Sequence, residues 1–255
     1  LGTTLLKGLA LLEALAMSDG PRGVTALANQ LGMAKSDVHR LLRALAGQRY
    51  VRKAAESGRY ECTLKVWELG ALVAERLDLR RVARHHVENL AHETSEAVHL
   101  SVLDGVDVLY VDKIDSPQPV RAYSRIGGRA PAHCVATGKA LLAHAPEAVL
   151  DRAVGALQRY TPRTITNAAA LRKELRRVRE AGYAINRGEW RESVCGLAAP
   201  IFDVSGNAIA AIGVSGPIER LTHGRLREFA PLVVSAAREI SRALGFSGDR
   251  TARAA

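Results

Sequence analysis

At 255 residues the chain has length for one large domain or two modest ones, and 47% hydrophobic residues to build their cores. No apolar run approaches the ~20 residues that span a bilayer, and the apolar start, interrupted by Lys7 and Glu13, lacks a signal-peptide pattern; no membrane partner and a cytoplasmic location are expected. The formal charge of +10 favours a polyanionic partner, although residues 1–64 hold nine Lys/Arg against five Asp/Glu, so much of the excess lies elsewhere.

Leu5, Leu6, Leu9, Leu12 and Leu15 predict a first helix that packs behind the next two. Residues 24–43 read as two short amphipathic helices around a tight turn. Ala28 sits at their closest approach, Gly32 suits a positive-φ turn, and Val38 and Leu41 recur on the inner face. That is a helix-turn-helix, whose second helix offers its polar N-terminal residues to a major groove; the plainer alternative is a helical hairpin within another α domain. Two short strands, 50–53 and 59–64, then flank Ser57-Gly58 as a basic wing. Residues 1–64 are therefore expected to be a winged helix-turn-helix domain. Lys35, Ser36, His39 and Arg40 are assigned to base edges, and Arg43, Arg52, Lys53 and Arg59 to phosphates; Thr25 completes the DNA-facing set.

Residues 65–79 predict a linker helix with Val66, Leu69, Leu72, Val73 and Leu77 on one face, which packs on its own chain or pairs with a second subunit. A further helix is expected over 80–93. The period then changes to 2, with strands at 96–103 and 106–113 around Asp104-Gly105 and a third at Val120–Ser124. Helices follow at 136–145, after Pro146, and from Asn167 to Glu180, closed by Gly182. A strand at 183–186, an irregular segment 187–193, a hairpin at 197–202 and 208–214, and a helix over 222–244 carrying Pro231 complete the chain. Hairpins separated by helices, without βαβ alternation, indicate an α+β effector domain over 80–247, with 248–255 a disordered tail.

In that order the chain resembles the IclR family of bacterial transcription regulators, from about Thr4 to Gly245. The likeness rests on the winged module, Leu-Lys-Val-Trp-Glu-Leu-Gly-Ala-Leu (64–72), Tyr-Val-Asp-Lys-Ile (110–114), Ala-His-Cys-Val-Ala-Thr-Gly-Lys-Ala-Leu-Leu-Ala (132–143), Gly-Leu-Ala-Ala-Pro-Ile-Phe-Asp (196–203) and Gly-Val-Ser-Gly-Pro (213–217). The resemblance implies a winged helix-turn-helix, a linker helix and a C-terminal GAF- or PAS-like antiparallel-sheet effector domain. It also implies a double-stranded DNA operator, repression as the usual mode, homodimers and dimers of dimers, and no cofactor.

Matched position by position, the effector would meet Ala136, Thr137, Asn186, Glu189, Val194, Cys195, Gly196, Gly213 and Ser215. The N–H groups of Ala136, Thr137 and Gly138 near a helix start suit a carboxylate, and Leu141, Val194 and Ile212 are expected as apolar wall. For Ser215-Gly216-Pro217 a plain strand-to-helix turn is an equal alternative. Some members carry an acidic pair where this chain has Asn186 and Arg187, and Ser or Cys where it has Gly196 and Gly213, so the ligand does not transfer from any one of them.

Enzyme chemistry finds little support. Cys62, Cys134 and Cys195 are odd in number, far apart and without zinc-ligand spacing. His133-Cys134 are backbone neighbours that diverge, and Cys195 is expected in the pocket or the core. His85, His86 and His92 fit a solvated helix face better than a metal site. The alternative function is a metabolite-sensing protein or enzyme whose N-terminal module mediates protein contacts.

Overall fold

The computed structural model describes residues 3–75, 78–122 and 124–247. The chain divides into two compact units, Leu1–Leu77 and Asp78–Ala255.

In the first unit, helices α1 (Thr3–Ala16), α2 (Val24–Leu31) and α3 (Lys35–Gly47) precede an antiparallel hairpin, β1 (Val51–Lys53) and β2 (Tyr60–Cys62). Helix α4 (Leu64–Glu75) follows. The turn between α2 and α3 forms because Gly32 adopts φ 61°, which brings its N–H and that of Met33 back to the Ala28 carbonyl. Beneath it Ala28, Val38, Leu41 and Leu42 join Leu11, Leu15, Leu27, Val51 and Tyr60 in one core. Arg22 and Tyr60 exchange two backbone hydrogen bonds of 2.8 Å, tying the segment before α2 to the wing.

Helix α1 departs from the sequence reading. It buries Leu11, Ala14 and Leu15, whereas Leu5 and Leu6 are 68% and 65% exposed and Leu9 is exposed as well. A lone amphipathic helix buries one stripe, and these three leucines fall on the other side of it. In α4, Leu64, Trp67, Leu69 and Leu72 are exposed as well, which fits the second of the two expectations for the linker helix, pairing with a second subunit, better than packing on its own chain. Leu77 and the Val73 side chain, assigned to that stripe, lie outside the described residues.

The second unit opens with α5 (Asp78–Thr94), which begins two residues before the expected Arg80. Its sheet is wholly antiparallel, in the order β5-β4-β3-β8-β7-β6. The strands are β3 (Ala97–Asp104), β4 (Asp107–Ile114), β5 (Arg129–Pro131), β6 (Ala184–Arg187), β7 (Val194–Phe202) and β8 (Ala208–Pro217). Period-2 alternation sorts the side chains. Leu197, Ala199, Ile201, Ala210, Ile212 and Val214 pack with Val87 and Leu90 of α5 and with Phe229, Val233 and Ile240 of α9 (His223–Ala243). Ala198, Ala211 and Tyr110 face the other layer, formed by α6 (Ala136–Leu142), α7 (Glu147–Gly155) and α8 (Ala168–Ala181). Asn167 caps α8 by accepting from the Ala170 N–H at 3.1 Å, and Gly182 ends it at φ 78°.

Among the described residues of the strand expected at Val120–Ser124, none is in a strand. The edge position belongs to β5, which pairs with Asp107–Leu109 of β4, and residues 115–122 and 124–128 form an irregular loop. Pro119 has no N–H to donate, and Val120 is exposed rather than packed. Helix α6 also stops at Leu142, short of the expected Ala145. The expected tail from 248 lies outside the described residues.

Candidate DNA-facing surface and effector cavity

The nine residues assigned to DNA are all exposed. On α3 the inward positions are Val38, Leu41 and Leu42, so helical spacing turns Lys35, Ser36, His39, Arg40 and Arg43 outward. Asp37 accepts from the Lys7 ammonium at 3.2 Å and from Arg40 at 3.5 Å, and Lys7, then Arg40, holds its carboxyl below the usual range. Arg40 is thereby tethered at the mouth of the helix. On the wing, Arg52 donates to Glu61 at 2.8 Å and the Lys53 ammonium lies 5.5 Å from the Tyr60 ring centre. Thr25 stands exposed on the first turn of α2.

In the second unit a narrow cavity opens between the sheet and α6, with about 550 Å³ of empty space including its mouth. Gly213 and Ser215 of β8 and Gly196 of β7 form its floor, Ala136 and Thr137 of α6 one wall, and Asn186, Trp190, Arg191 and Val194 another. His99 and Tyr110 come from β3 and β4, and Ala122 and Ser124 from the irregular loop. His99 links floor to loop, with Nε2 at 2.6 Å from Ser124 Oγ and Nδ1 at 3.3 Å from Ser215 Oγ. Its ring centre stands 5.0 Å from that of Tyr110. Burial, helped by the Lys113 charge, pushes His99 down to about 4, so the imidazole is neutral at physiological pH. Burial likewise raises Tyr110 to about 12 and keeps its hydroxyl protonated. The Arg191 guanidinium lies 4.7 Å from the Trp190 ring centre, and no carboxylate is among the cavity-lining residues.

Seven of the ten predicted effector positions therefore line the cavity: Ala136, Thr137, Asn186, Val194, Gly196, Gly213 and Ser215. Three do not. Cys195 alternates away from Val194 and Gly196 into the α5–α9 core. Gly138 serves a close approach instead, since a Cβ there would stand 2.2 Å from the Ala132 carbonyl oxygen. Glu189 turns inward to the buried Lys139 ammonium, 2.7 Å away, which also reaches Glu174 at 3.3 Å. Burial raises the Glu189 carboxyl against the pull of Lys139. This ion pair anchors the segment that carries Trp190 and Arg191. Leu141 and Ile212 are also not wall residues, for they belong to the cores on the two faces of the sheet.

The sequence reading missed His99, Tyr110, Ser124, Trp190 and Arg191. A histidine within an otherwise apolar strand was the available signal for the first of them. As for the other candidate groups, burial pushes the Cys134 thiol up to about 12 and also raises Cys195. His133 shares a hydrogen bond with the Gln158 carbonyl at 3.1 Å. Among the described residues no His, Cys, Asp or Glu cluster has metal-ligand form, and no helix is long and apolar enough to cross a membrane.

A winged helix-turn-helix and a cavity-bearing antiparallel sheet in one chain define a ligand-responsive transcription regulator. Comparison with known proteins specifies which kind. Residues 4–55 match the IclR helix-turn-helix domain and residues 71–242 the C-terminal domain of bacterial IclR transcriptional regulators. The chain belongs to the IclR family. It is 37% identical over 246 residues to the HTH-type transcriptional regulator KdgR of Escherichia coli, covering 96% of this chain and 93% of that one. It is 33% identical to the transcriptional repressor IclR of the same organism, covering 95% and 90%. Among solved structures, the IclR protein of Thermotoga maritima matches with a TM-score of 0.79 at 31% identity, over 95% of this chain and 99% of that one. An IclR homologue from Microbacterium hydrocarbonoxydans, complexed with 4-hydroxybenzoate, gives a TM-score of 0.84 at 26% identity over the same shares.

Proposed function

We propose that the protein is a repressor whose operator affinity is set by a small organic acid bound in the cavity of the second unit. The observation that carries this is the cavity's charge: one guanidinium, Arg191, with hydroxyls and a neutral His99, and no carboxylate in the lining. Such a lining suits an anion. The walls from Tyr110, Trp190 and Val194 suit an apolar or aromatic body, and the Microbacterium homologue was solved with a ligand of that chemistry. The acid's carboxylate would meet Arg191 and the first N–H groups of α6, which have no acceptor within the helix.

On the DNA side, Lys35, Ser36, His39 and Arg40 would read base edges, while Arg43, Arg52, Lys53 and Arg59 engage phosphates and Thr25 supports them. Two such readers at fixed spacing require a dimer. The exposed Leu5, Leu6, Leu9, Trp67 and Leu72 supply an apolar surface for it, with dimers of dimers as the larger assembly. The effector would shift a pre-existing equilibrium between DNA-competent and incompetent placements of the winged units. This work is done in the cytoplasm and needs no catalysis.

The test is fluorescence anisotropy with DNA flanking the protein's own gene against random duplex at near-physiological salt, repeated with a panel of aromatic and short-chain acids. Selective binding that one acid alters, and that Arg191→Ala desensitises about tenfold or more, is the expected result. Binding no tighter than to random duplex, or an acid response unchanged in Arg191→Ala, overturns the corresponding half of the proposal.

A further inference from the structure

The far end of β7 carries a second opening. Strand β6 pairs with β7 only as far as Ala184 opposite Ala198, so among the described residues Ala199–Phe202 has no strand on that side. A groove with about 1040 Å³ of empty space, mouth included, lies there between α9 and the ends of α6 and α8. Its floor is made of small residues, with Gly182, Ala199 and Ala237 leaving room. The bare strand edge is not open to another strand. Pro200 has no N–H, and the Phe202 N–H is already donated to Ser241 Oγ at 2.9 Å. An added β-strand is thereby disfavoured as the occupant.

Three arginines line this groove: Arg179 from α8, and Arg238 and Arg242 one turn apart on α9, the latter two standing on the ridge between it and the neighbouring groove. Arg179 Nε donates to the Ala143 carbonyl at 2.7 Å, which fixes the group while leaving its terminal nitrogens available. None of the three has an ion-pair partner among the described residues; Glu239, the acid beside Arg238, pairs with His86 at 3.2 Å instead. Like charges gathered on one groove repel unless an anion joins them. Beside them, Phe202 stacks on Phe246 with ring centres 5.1 Å apart, and His144 stands edge-on to Phe202 at 5.0 Å. Arginines with an aromatic platform recognise a flat ring that bears a negative group.

We propose that this groove is a second ligand site, separate from the effector cavity, for a small planar aromatic anion. The ring lies along Phe202 and Phe246, and Arg179, Arg238 and Arg242 hold its carboxylate or phosphate. Calorimetric titration of the full chain with 1-naphthoate and with AMP tests this, with pyrophosphate as the ring-free anion. The proteins compared are the unaltered chain, Arg191→Ala and the double variant Arg238→Ala/Arg242→Ala. Both of the latter arginines are exposed, so the double variant is expected to fold, and an unchanged thermal midpoint verifies it.

The expected result is binding of one aromatic anion at one per chain, kept in Arg191→Ala and weakened at least tenfold in the double variant, with pyrophosphate at least tenfold weaker. Preference for naphthoate marks a carboxylate site, and preference for AMP a phosphate site. Failure of both aromatic anions to bind overturns the proposal. So does binding that disappears in Arg191→Ala but survives in the double variant, which belongs to the effector cavity. Pyrophosphate binding as tight as the aromatic anions removes the aromatic part.

Discussion

The two units place their polar residues in opposite ways. In the winged unit the core is one apolar cluster, and every residue assigned to DNA stands outside it. In the sensor unit the groups around the cavity are inside the fold: His99, Thr137, Lys139, Asn186 and Glu189 are all buried. Function on a surface can be altered without touching the core, whereas buried polar groups are hydrogen-bonded or paired and removing one strands its partner. DNA reading is therefore expected to be separable from folding throughout, and ligand sensing only at the exposed or half-buried walls such as Arg191, not at these buried groups.

The sharpest way to break that contrast is Lys139→Ala. It leaves Glu189 and Glu174 without their shared cation, and a loss of about 3–5 kcal/mol is expected for the sensor unit in urea unfolding. Lys139→Met combined with Glu189→Leu should recover much of it; a loss below 1 kcal/mol in the single variant would end the argument. Next in size is acid sensitivity. The folded His99 titrates at about 4 against a reference value of 6.5. The unfolded state takes the proton first, so the stability is complete above pH 6.5 and falls as pH drops towards 4. The expected loss is about 3 kcal/mol, read as the difference between the unaltered chain and His99→Asn in unfolding series from pH 7 to 4.

Smaller effects belong to the winged unit. Arg40→Ala is expected to lower operator discrimination by ~1–3 kcal/mol while shifting unfolding by less than about 0.5 kcal/mol; equal weakening on random duplex would move Arg40 to the phosphate group. Removing Arg43 or Arg59 should weaken binding to all sequences alike and flatten the slope of log affinity against log salt by about 0.9 each. Smallest for the fold is Trp67→Gln, expected within about 0.5 kcal/mol of the unaltered chain yet shifting sedimentation from dimer towards monomer. An unchanged sedimentation profile would leave that apolar surface without its proposed role.

The winged module was readable because its signals are local. Gly32, Val38 and Leu41 sit within ten residues and fix turn and face together. Hairpins were readable for the same reason, with Gly105 and Gly206 both at positive φ in their turns. The cavity was half readable. Its β7, β8 and α6 positions lie within motifs, but His99 and Tyr110 reach it through strand pairing and Ser124 through a loop that the period assigned to a strand. Cys195 was misplaced because two-residue alternation was not carried through Val194–Gly196. The outward leucines of α1 have a different cause. Periodicity measures how apolar a stripe is, and says nothing of whether the partner that covers it lies in the same chain.

One feature of the cavity constrains how such a sensor can change its taste. Much of its floor is backbone: Gly213 has so little room that a Cβ would stand 2.7 Å from both Ala198 Cβ and the Leu197 carbonyl, and Gly196 lies beside it. At Gly213 an added side chain would fill the space rather than tune it, and of the three floor residues only Ser215 presents a polar side chain, already held by His99. Retuning falls to the walls, where Tyr110, Trp190, Arg191 and Val194 can be exchanged one at a time. Gene duplication followed by wall substitution would then give sensors that share one base plate and answer to different acids.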